Sequence, residues 1–292
     1  MRSGFVSIIG RPNVGKSTLL NTLINERVAI TSDKPGTTRN VIQGIYNEED
    51  YQIVFIDTPG IHKPANKLGK ILNKQAHQMT RDIDVILFVV DAKEGIGKGD
   101  KMIMENLEHS ESPVILVINK IDNIKDDDLI LRITDYKDLY PFVDIVPVSA
   151  LKANNTDHLL EVIKNYLHDD VRYFENTVKT SNSKFFMISE FVREKLLHLT
   201  DKEIPYRITC VTSNFEDKET IANIAVDIIV DRDSLKKIVI GKKGLLLKEV
   251  GTLARVDIER MLGKQVYLEL YVRTIKDWRN REKNLTELGF KE

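Results

Sequence analysis

The chain has 292 residues, of which 42% are hydrophobic and 30% are charged, a composition typical of soluble globular proteins. Its one cysteine, Cys210, excludes an intramolecular disulfide and a cysteine-rich zinc site. The net charge is −1, but from Val171 onward 23 Lys and Arg stand against 19 Asp and Glu. The length favours two domains, and the charge places any contact with a polyanion in the second. No apolar run reaches ~18 residues, so we expect no transmembrane helix. Strand-like sequence begins at Phe5, so we expect no signal peptide.

A glycine-rich loop near the start carries the strongest functional signal. It lies between the apolar run Phe5–Ile9 and the segment Leu19–Ile24, whose apolar residues repeat at helical spacing. The order strand, loop, helix is the context of a phosphate-binding P-loop, because a helix N-terminus directs free N–H groups at an anion. The predicted loop comprises Gly10, Arg11, Pro12, Asn13, Val14, Gly15, Lys16, Ser17 and Thr18. We expect Lys16 to reach the β- and γ-phosphates and the Ser17 hydroxyl to bind Mg²⁺.

Two further polar loops are suited to sense the γ-phosphate. In Ala29–Arg39, the hydroxyl of Thr37 or Thr38 could complete the Mg²⁺ shell, although a plain surface loop is equally consistent with this sequence. A predicted hairpin, Asn40–Tyr46 and Tyr51–Ile56, then leads into the second loop, Asp57, Thr58, Pro59 and Gly60. Asp57 is placed to hold Mg²⁺ through water, and Gly60 to offer its N–H to the γ-phosphate and act as a hinge. The candidate catalytic residues are therefore Lys16, Thr37, Thr38 and Gly60.

The rest of the first domain alternates helices and strands. The predicted helices are Lys67–Arg81, Lys98–His109 and His158–His168, and the predicted strands are Val85–Asp91, Val114–Ile118 and Asp144–Val148. This alternation predicts a parallel α/β sheet that binds its ligand at the carboxyl edge of the strands.

Residues that follow two of these strands are suited to bind guanine. Asp122 can accept hydrogen bonds from the N1 and N2 donors of guanine, a pair that adenine lacks. Lys120 can lie across the base plane, while Asn119 ties its loop to the P-loop. After the last strand, the backbone of Ser149, Ala150 and Leu151 is placed to contact the guanine O6. We therefore predict a GTP site.

These motifs, in this order, resemble a P-loop GTPase domain from Phe5 to about His168, of the translation-factor-like bacterial class that includes Era. The candidate Mg²⁺ ligands are Ser17, Thr38 and Asp57, and the choice between Thr38 and Thr37 stays open. In relatives of this class, an Asn at the position of Asn13 holds K⁺. Whether Asn13 does so, or only shapes the loop, stays open. Ile61 occupies the position where many small GTPases carry a water-orienting Gln, so we expect intrinsic hydrolysis to be slow or helped by another group.

The second domain is predicted to have the order α-β-β-α-α-β. Its elements are a helix Glu190–Leu199, strands Tyr206–Thr212 and Ile221–Val230, a helix Ser234–Val239, a helix ending at Leu262 and a strand Val266–Val272. A polar stretch without firm periodicity, His168–Ser183, precedes them. We therefore predict a GTPase domain over residues 1–170, a linker over 171–184 and a second domain over 185–292.

A Gly-Lys-Lys-Gly loop joins the last two of these helices. With its flanking elements, the loop Gly241, Lys242, Lys243 and Gly244 resembles that of a KH RNA-binding domain of the bacterial type (type II), an α+β fold. Glycines permit a close approach to a sugar–phosphate backbone, and lysines neutralise phosphates. Lys236 and Lys248 are further candidate RNA contacts and, with Arg232 and Arg255, could extend the basic face. All four are equally well explained as solvated helix residues.

A GTPase domain followed by a KH domain is the arrangement of the Era GTPase family, and the resemblance covers essentially the whole chain. It implies hydrolysis of GTP to GDP, binding to the 3′ end of 16S ribosomal RNA, and a role in assembling the small ribosomal subunit. It further implies a cytoplasmic monomer, with peripheral contact to the inner face of the cell membrane left open. Two alternatives remain: a non-enzymatic RNA scaffold that keeps GTP bound for structure, and a membrane-surface GTPase.

Overall fold

The computed structural model of the chain describes residues 1–61, 64–79 and 83–290. It divides into two compact units. The first comprises Met1–Thr31, Thr38–Pro64 and Gly69–Ser181. The second comprises Asn182–Glu292 together with two short segments from earlier in the chain, Ser32–Thr37 and Ala65–Leu68. The sequence did not predict that these two segments group with the second unit. The predicted end of the GTPase domain at residue 170 and start of the second domain at residue 185 stay predictions.

A six-stranded sheet of order β2-β3-β1-β4-β5-β6 forms the centre of the first unit. Its strands are β1 (Arg2–Ile9), β2 (Ile42–Asn47), β3 (Tyr51–Asp57), β4 (Val85–Asp91), β5 (Val114–Asn119) and β6 (Asp144–Pro147). Only β2 runs antiparallel to its neighbour among these strands. Every residue of β4 and β5 is buried, as expected of central strands covered on both faces. The mostly parallel sheet predicted from the sequence is confirmed, and its carboxyl edge gathers the predicted ligand loops.

Five helices accompany this sheet within the described ranges. They are α1 (Lys16–Ile24), α2 (Lys67–Gln78), α3 (Lys98–Leu107), α4 (Asp126–Lys137) and α5 (Thr156–Lys164). Helix α4 was not predicted, because its apolar face is thin: Ile130 and Leu131 are each 63% exposed. Tyr136 from the same helix is fully buried in the core cluster around Phe88. The predicted end of α2 at Arg81 lies outside the described residues.

The second unit is built on a three-stranded sheet of order β7-β8-β9. Its elements are α6 (Lys184–Leu199), α7 (Ile204–Arg207), β7 (Ile208–Asp217), β8 (Ile221–Val230), α8 (Asp233–Ile240), α9 (Leu245–Leu262), β9 (Gln265–Thr274) and α10 (Glu282–Glu287). Strands β7 and β8 are antiparallel and β8 and β9 are parallel. Helix α6 packs on β7 and α9, and α9 packs on β9. This α+β unit after a parallel sheet confirms the predicted fold class.

Two elements of the second unit extend further than predicted. Helix α6 begins at Lys184 rather than Glu190, since the Ser183 hydroxyl caps it by accepting from the Phe186 N–H at 3.2 Å. Strand β7 continues through polar residues to Asp217, past an irregularity between Thr212 and Asn214. An edge strand with exposed polar side chains shows little of the alternation that identifies strands. None of the helices in the described part of the chain is long and apolar enough to cross a membrane.

Candidate functional site

The P-loop backbone is fixed by contacts that leave no room for side chains at its two glycines. Gly10 has a φ of 153°, and a Cβ there would lie 2.3 Å from the carbonyl oxygen of Val89. Gly15 has a φ of 97°, and its Cβ would lie 2.3 Å from Nδ2 of Asn119. Both positions therefore require glycine, for conformation and for space. The loop ends at Gly15, where α1 begins with free N–H groups.

Lys16 is a buried cation that spans this loop. Its ammonium group donates to the carbonyl oxygens of Gly10, at 3.1 Å, and of Arg11, at 2.9 Å. Burial lowers its pKa to about 8, although the charge of Asp57 acts in the opposite direction. The positive charge is thus held in the loop with incomplete compensation, an electrostatic environment that favours an anion such as phosphate.

Three oxygen-bearing side chains meet next to Lys16. The Ser17 hydroxyl donates to Asp57 Oδ2 at 2.6 Å and lies 2.9 Å from Oγ1 of Thr38. Asp57 is fully buried, and its Oδ1 has no hydrogen-bond partner among the described residues. Burial raises the pKa of Asp57 to about 6, against the opposing effects of Lys16 and the Ser17 hydroxyl. A buried carboxylate with an unpaired oxygen beside two hydroxyls is a hard-oxygen donor set that fits Mg²⁺.

The structure separates the roles of the two adjacent threonines. Thr38 points its hydroxyl at Ser17, whereas the Thr37 hydroxyl donates to the carbonyl oxygen of Lys34 at 2.7 Å. Thr37 is therefore occupied in a local turn, and Thr38 is the threonine that joins the oxygen cluster.

The second loop presents Gly60 to the P-loop. A Cβ on Gly60 would lie 2.9 Å from the backbone nitrogen of Pro12, so the close approach of the two loops requires glycine. Thr58 is turned away from this contact, since its hydroxyl donates to the Ile8 carbonyl at 3.0 Å. Ile61 is 3% exposed and belongs to the hydrophobic core cluster. Its side chain cannot orient water, in agreement with the expectation from its apolar character.

The predicted base-binding loops are joined by hydrogen bonds. Asn119 donates to the Val14 carbonyl at 2.9 Å and accepts from the backbone N–H of Ala150 at 3.0 Å. It thereby connects the P-loop to the loop after β6. The Ser149 hydroxyl donates to Asp122 Oδ1 at 2.5 Å, which orients the carboxylate. The side chain of the neighbouring Leu151 is exposed.

Lys120 is oriented by two contacts. Its ammonium group donates to the Asn13 carbonyl at 2.6 Å and pairs with Asp91 Oδ2 at 2.7 Å. Asp91 was not singled out from the sequence, although its position at the end of the apolar run of β4 was a usable signal. Asn13 has a left-handed φ of 65°, which shapes the loop where Lys120 contacts it.

A second group missed by the sequence analysis holds Arg11. Its Nε donates to Oδ1 of the fully buried Asp100 at 2.9 Å, and its Nη2 lies 3.3 Å from Glu94. A Cβ on Gly99 would lie 2.8 Å from Cδ of Arg11, so a small residue is needed there. The sequence feature behind this contact is the segment Gly97-Lys98-Gly99-Asp100, which follows a buried strand. The segment is too short to predict that Asp100 pairs with a P-loop residue.

The Gly-Lys-Lys-Gly loop lies open at the surface of the second unit. Gly241 and Gly244 have φ values of 77° and 76°, and Lys243, also left-handed, has 52°. Lys242 and Lys243 are both exposed. The other predicted RNA contacts, Lys236 and Lys248 on the flanking helices, are exposed as well. Arg232 instead pairs with Glu203 at 2.5 Å, which favours a structural role for it.

Comparisons with known proteins agree with both units. A family model described as a 50S ribosome-binding GTPase matches residues 5–120, and one described as a KH domain matches residues 203–279. The crystal structure of Era in complex with MgGDPNP and nucleotides 1506–1542 of 16S ribosomal RNA is 40% identical, covers 100% of both chains and has a TM-score of 0.97. An Aquifex aeolicus Era variant bound to GDP·AlF4⁻ is also 40% identical over 100% of both chains, with a TM-score of 0.95. This chain belongs to the Era family of GTPases.

Proposed function

We propose that this chain is a GTP-hydrolysing switch that binds the 3′ end of 16S ribosomal RNA through its KH loop and acts in assembly of the small ribosomal subunit. The observation that carries the proposal is the convergence of Lys16, Ser17, Thr38 and Asp57 at the carboxyl edge of the sheet. The similar Era structure holds MgGDPNP and nucleotides 1506–1542 of that RNA, which supports the choice of ligands.

The phosphates are bound by charge and backbone donors that are already in place. Lys16 is buried with incomplete compensation, so phosphate oxygens restore the missing negative charge. The N–H groups at the start of α1 and of Gly60 add donors on either side. Ser17, Thr38 and Asp57 would hold Mg²⁺, which neutralises charge on the β- and γ-phosphates when bound. Because Thr38 comes from the loop before β2, Mg²⁺ and a γ-phosphate bound at this cluster would hold that loop in place.

The base is selected by Asp122. Its carboxylate accepts from the Ser149 hydroxyl and has further lone pairs for the N1 and N2 donors of guanine. Lys120, held between Asn13 and Asp91, is oriented to lie across the base. Adenine, without that donor pair, would leave the carboxylate unsatisfied.

Hydrolysis in this protein requires a group other than residue 61 to orient the attacking water, because that position carries isoleucine rather than glutamine. Ile61 is buried in the core, so water must be positioned by other groups. Gly60 and Thr38 are the candidates on this chain, and K⁺ near Asn13 would supply positive charge to the transition state. We propose that phosphate release is slow for the protein alone and rises with RNA and K⁺.

The RNA is bound by the Gly241–Gly244 loop. Two exposed lysines between glycines of positive φ can approach a sugar–phosphate backbone, and a KH groove holds about four single-stranded nucleotides. Within residues 232–264, nine basic residues stand against four acidic ones, so the surface near the loop favours a polyanion. A cytoplasmic location follows from this choice of partner.

Phosphate release tests the enzyme against the scaffold alternative. It would be measured on the full chain with and without RNA nucleotides 1506–1542, in K⁺ and in Na⁺. Release of phosphate that RNA accelerates supports the switch. A chain that binds GTP for hours without releasing phosphate under any of these conditions is a scaffold instead.

RNA affinity tests the coupling between the two units. A switch requires RNA to bind the GTP form more tightly than the GDP form, by ~1–3 kcal/mol, and GTP to bind the RNA-bound protein more tightly by the same factor. Equal RNA affinity in the two nucleotide states would contradict the coupling.

A further inference from the structure

A buried arginine of the second unit holds the peptide next to the magnesium-site threonine. Arg193, on α6, is 1% exposed, and its Nη2 donates to the backbone carbonyl of Thr37. Thr37 lies in the segment Ser32–Thr37, which groups with the second unit. Helix α6 therefore fixes the last residue before Thr38, although that residue comes from a loop of the N-terminal sequence.

The guanidinium group of Arg193 is set in one orientation by Glu190, one turn earlier on α6. Its Nε donates to Glu190 Oε1 at 2.7 Å and its Nη2 donates to Oε2 at 2.6 Å, a planar two-point contact. Burial acts to lower the pKa of Arg193, but the charge of Glu190 offsets this, and the net effect is a raised pKa. Arg193 therefore stays charged, with one donor directed at Thr37.

A buried ion pair is not in general needed for stability. Its replacement by apolar residues of similar volume is often neutral or stabilising, because desolvation of the two charges cancels most of their attraction. The charged pair instead provides a fixed hydrogen-bond donor, which an apolar pair cannot. That donor holds the carbonyl of Thr37.

Another tie of this segment, an ion pair of Lys34, is at the surface. Lys34 Nζ lies 2.7 Å from Asp201 Oδ1, and the Asp201 side chain is 82% exposed. Exposed ion pairs contribute little, because water and salt screen them and both side chains lose freedom. The buried contact of Arg193 is thus the stronger anchor of the segment.

The carbonyl of Thr37 and the nitrogen of Thr38 belong to one rigid peptide plane. Holding that carbonyl restricts where the Thr38 Cα lies, and with it the hydroxyl that approaches Ser17 at 2.9 Å. We infer that Arg193 is a positioning residue of the nucleotide site, which holds Thr38 ready for Mg²⁺ and the γ-phosphate and links that contact to α6 of the second unit. The inference rests on the proposed GTP switch. It adds a residue that links the nucleotide site to helix α6.

A double variant tests the inference without leaving a buried unpaired charge. Arg193→Met with Glu190→Met removes the donor to Thr37 and both charges at similar volume. The matched control, Lys34→Ala, removes the exposed tie of the same segment. Thermal unfolding and the Kd values of GDP and of a non-hydrolysable GTP analogue with Mg²⁺ would be measured on the full chain.

We expect the double variant to fold and to bind GDP within about twofold of the wild type, because the P-loop is untouched. The GTP analogue should bind about tenfold more weakly, a size typical of coupling between sites. The control should change neither Kd beyond about twofold. RNA should also lose its effect on GTP affinity in the double variant, since the link to α6 is cut.

An unchanged ratio of GTP to GDP affinity in the folded double variant would overturn the inference. If that variant does not fold, Arg193→Lys serves instead: it keeps the charge for Glu190 but loses the two-point contact, and a smaller fall in the same ratio is expected. An unchanged ratio in Arg193→Lys, with the double variant unfolded, would likewise overturn it. Failure of the proposed function is distinguishable, because the wild type would then release no phosphate from GTP, or would bind RNA equally in its GTP and GDP forms.

Discussion

The two glycine-bounded loops of this chain, Gly10–Ser17 and Gly241–Gly244, use the same elements for opposite purposes. Each combines glycines of positive φ with lysine, and each precedes a helix. In the P-loop, the lysine is 6% exposed and donates to the loop's own carbonyls. In the KH loop, both lysines are exposed to solvent. The first loop is enclosed and built in advance, and the second is open.

The difference in enclosure determines how strongly each loop should respond to substitution. An enclosed site needs no reorganisation when the ligand arrives, so its donors act in low dielectric and small displacements matter. An open site acts through screened charges, so its contribution is graded and depends on salt. Changes in the first should therefore be large and close to all-or-none, and changes in the second small and additive.

Gly10→Ala should have the largest effect. A Cβ at this position lies 2.3 Å from the Val89 carbonyl oxygen, so the backbone of β1 or β4 must shift. Overpacking and backbone strain together should lower the free energy of unfolding by about 2–5 kcal/mol and remove nucleotide binding. Urea unfolding and GDP titration measure both. GDP affinity within threefold of the wild type would show that the loop is less enclosed than its contacts indicate.

Asp122→Asn should change which base the enclosed site accepts. An amide offers a donor where the carboxylate offers acceptors, so one of the two guanine hydrogen bonds is lost and a donor faces a donor. GTP affinity should fall by about 100-fold, from loss of a charge-assisted pair, while xanthosine triphosphate should bind better than GTP. Competition between the two nucleotides is the measurement. An unchanged preference for GTP would mean that Asp122 does not contact the base.

The double change Lys242→Ala and Lys243→Ala should weaken RNA binding about tenfold, from the loss of two exposed charge contacts. The slope of log K against log salt should fall by about 1.4, since each phosphate contact on single-stranded nucleic acid contributes about 0.7. GDP affinity should stay at its wild-type value. The matched control is Lys276→Ala with Lys283→Ala, two exposed lysines outside the predicted RNA contacts, which should leave the salt slope unchanged. A salt slope equal to that of the wild type would place the phosphates elsewhere.

The sequence indicated that Lys16, Asp57 and Asp122 meet at one sheet edge, because each follows an apolar strand, and those strands belong to one sheet. The roles of these residues toward the nucleotide stay predictions. The sequence did not predict the contact between Arg193 and Thr37, because the two residues are 156 positions apart. No local pattern encodes such a contact. It depends on how α6 packs and on where the segment Ser32–Thr37 lies, and both are properties of the folded chain.

Gly244→Ala should have the smallest effect and completes the comparison with Gly10→Ala. The position has a φ of 76°, but a Cβ there meets no described atom within 4 Å, so strain is the one cost. A left-handed alanine should lower the free energy of unfolding by about 1 kcal/mol, against the several expected at Gly10. Urea unfolding of the two variants side by side measures the difference. Equal destabilisation would mean that backbone strain alone, rather than the close contact with Val89, sets the cost of a side chain at Gly10.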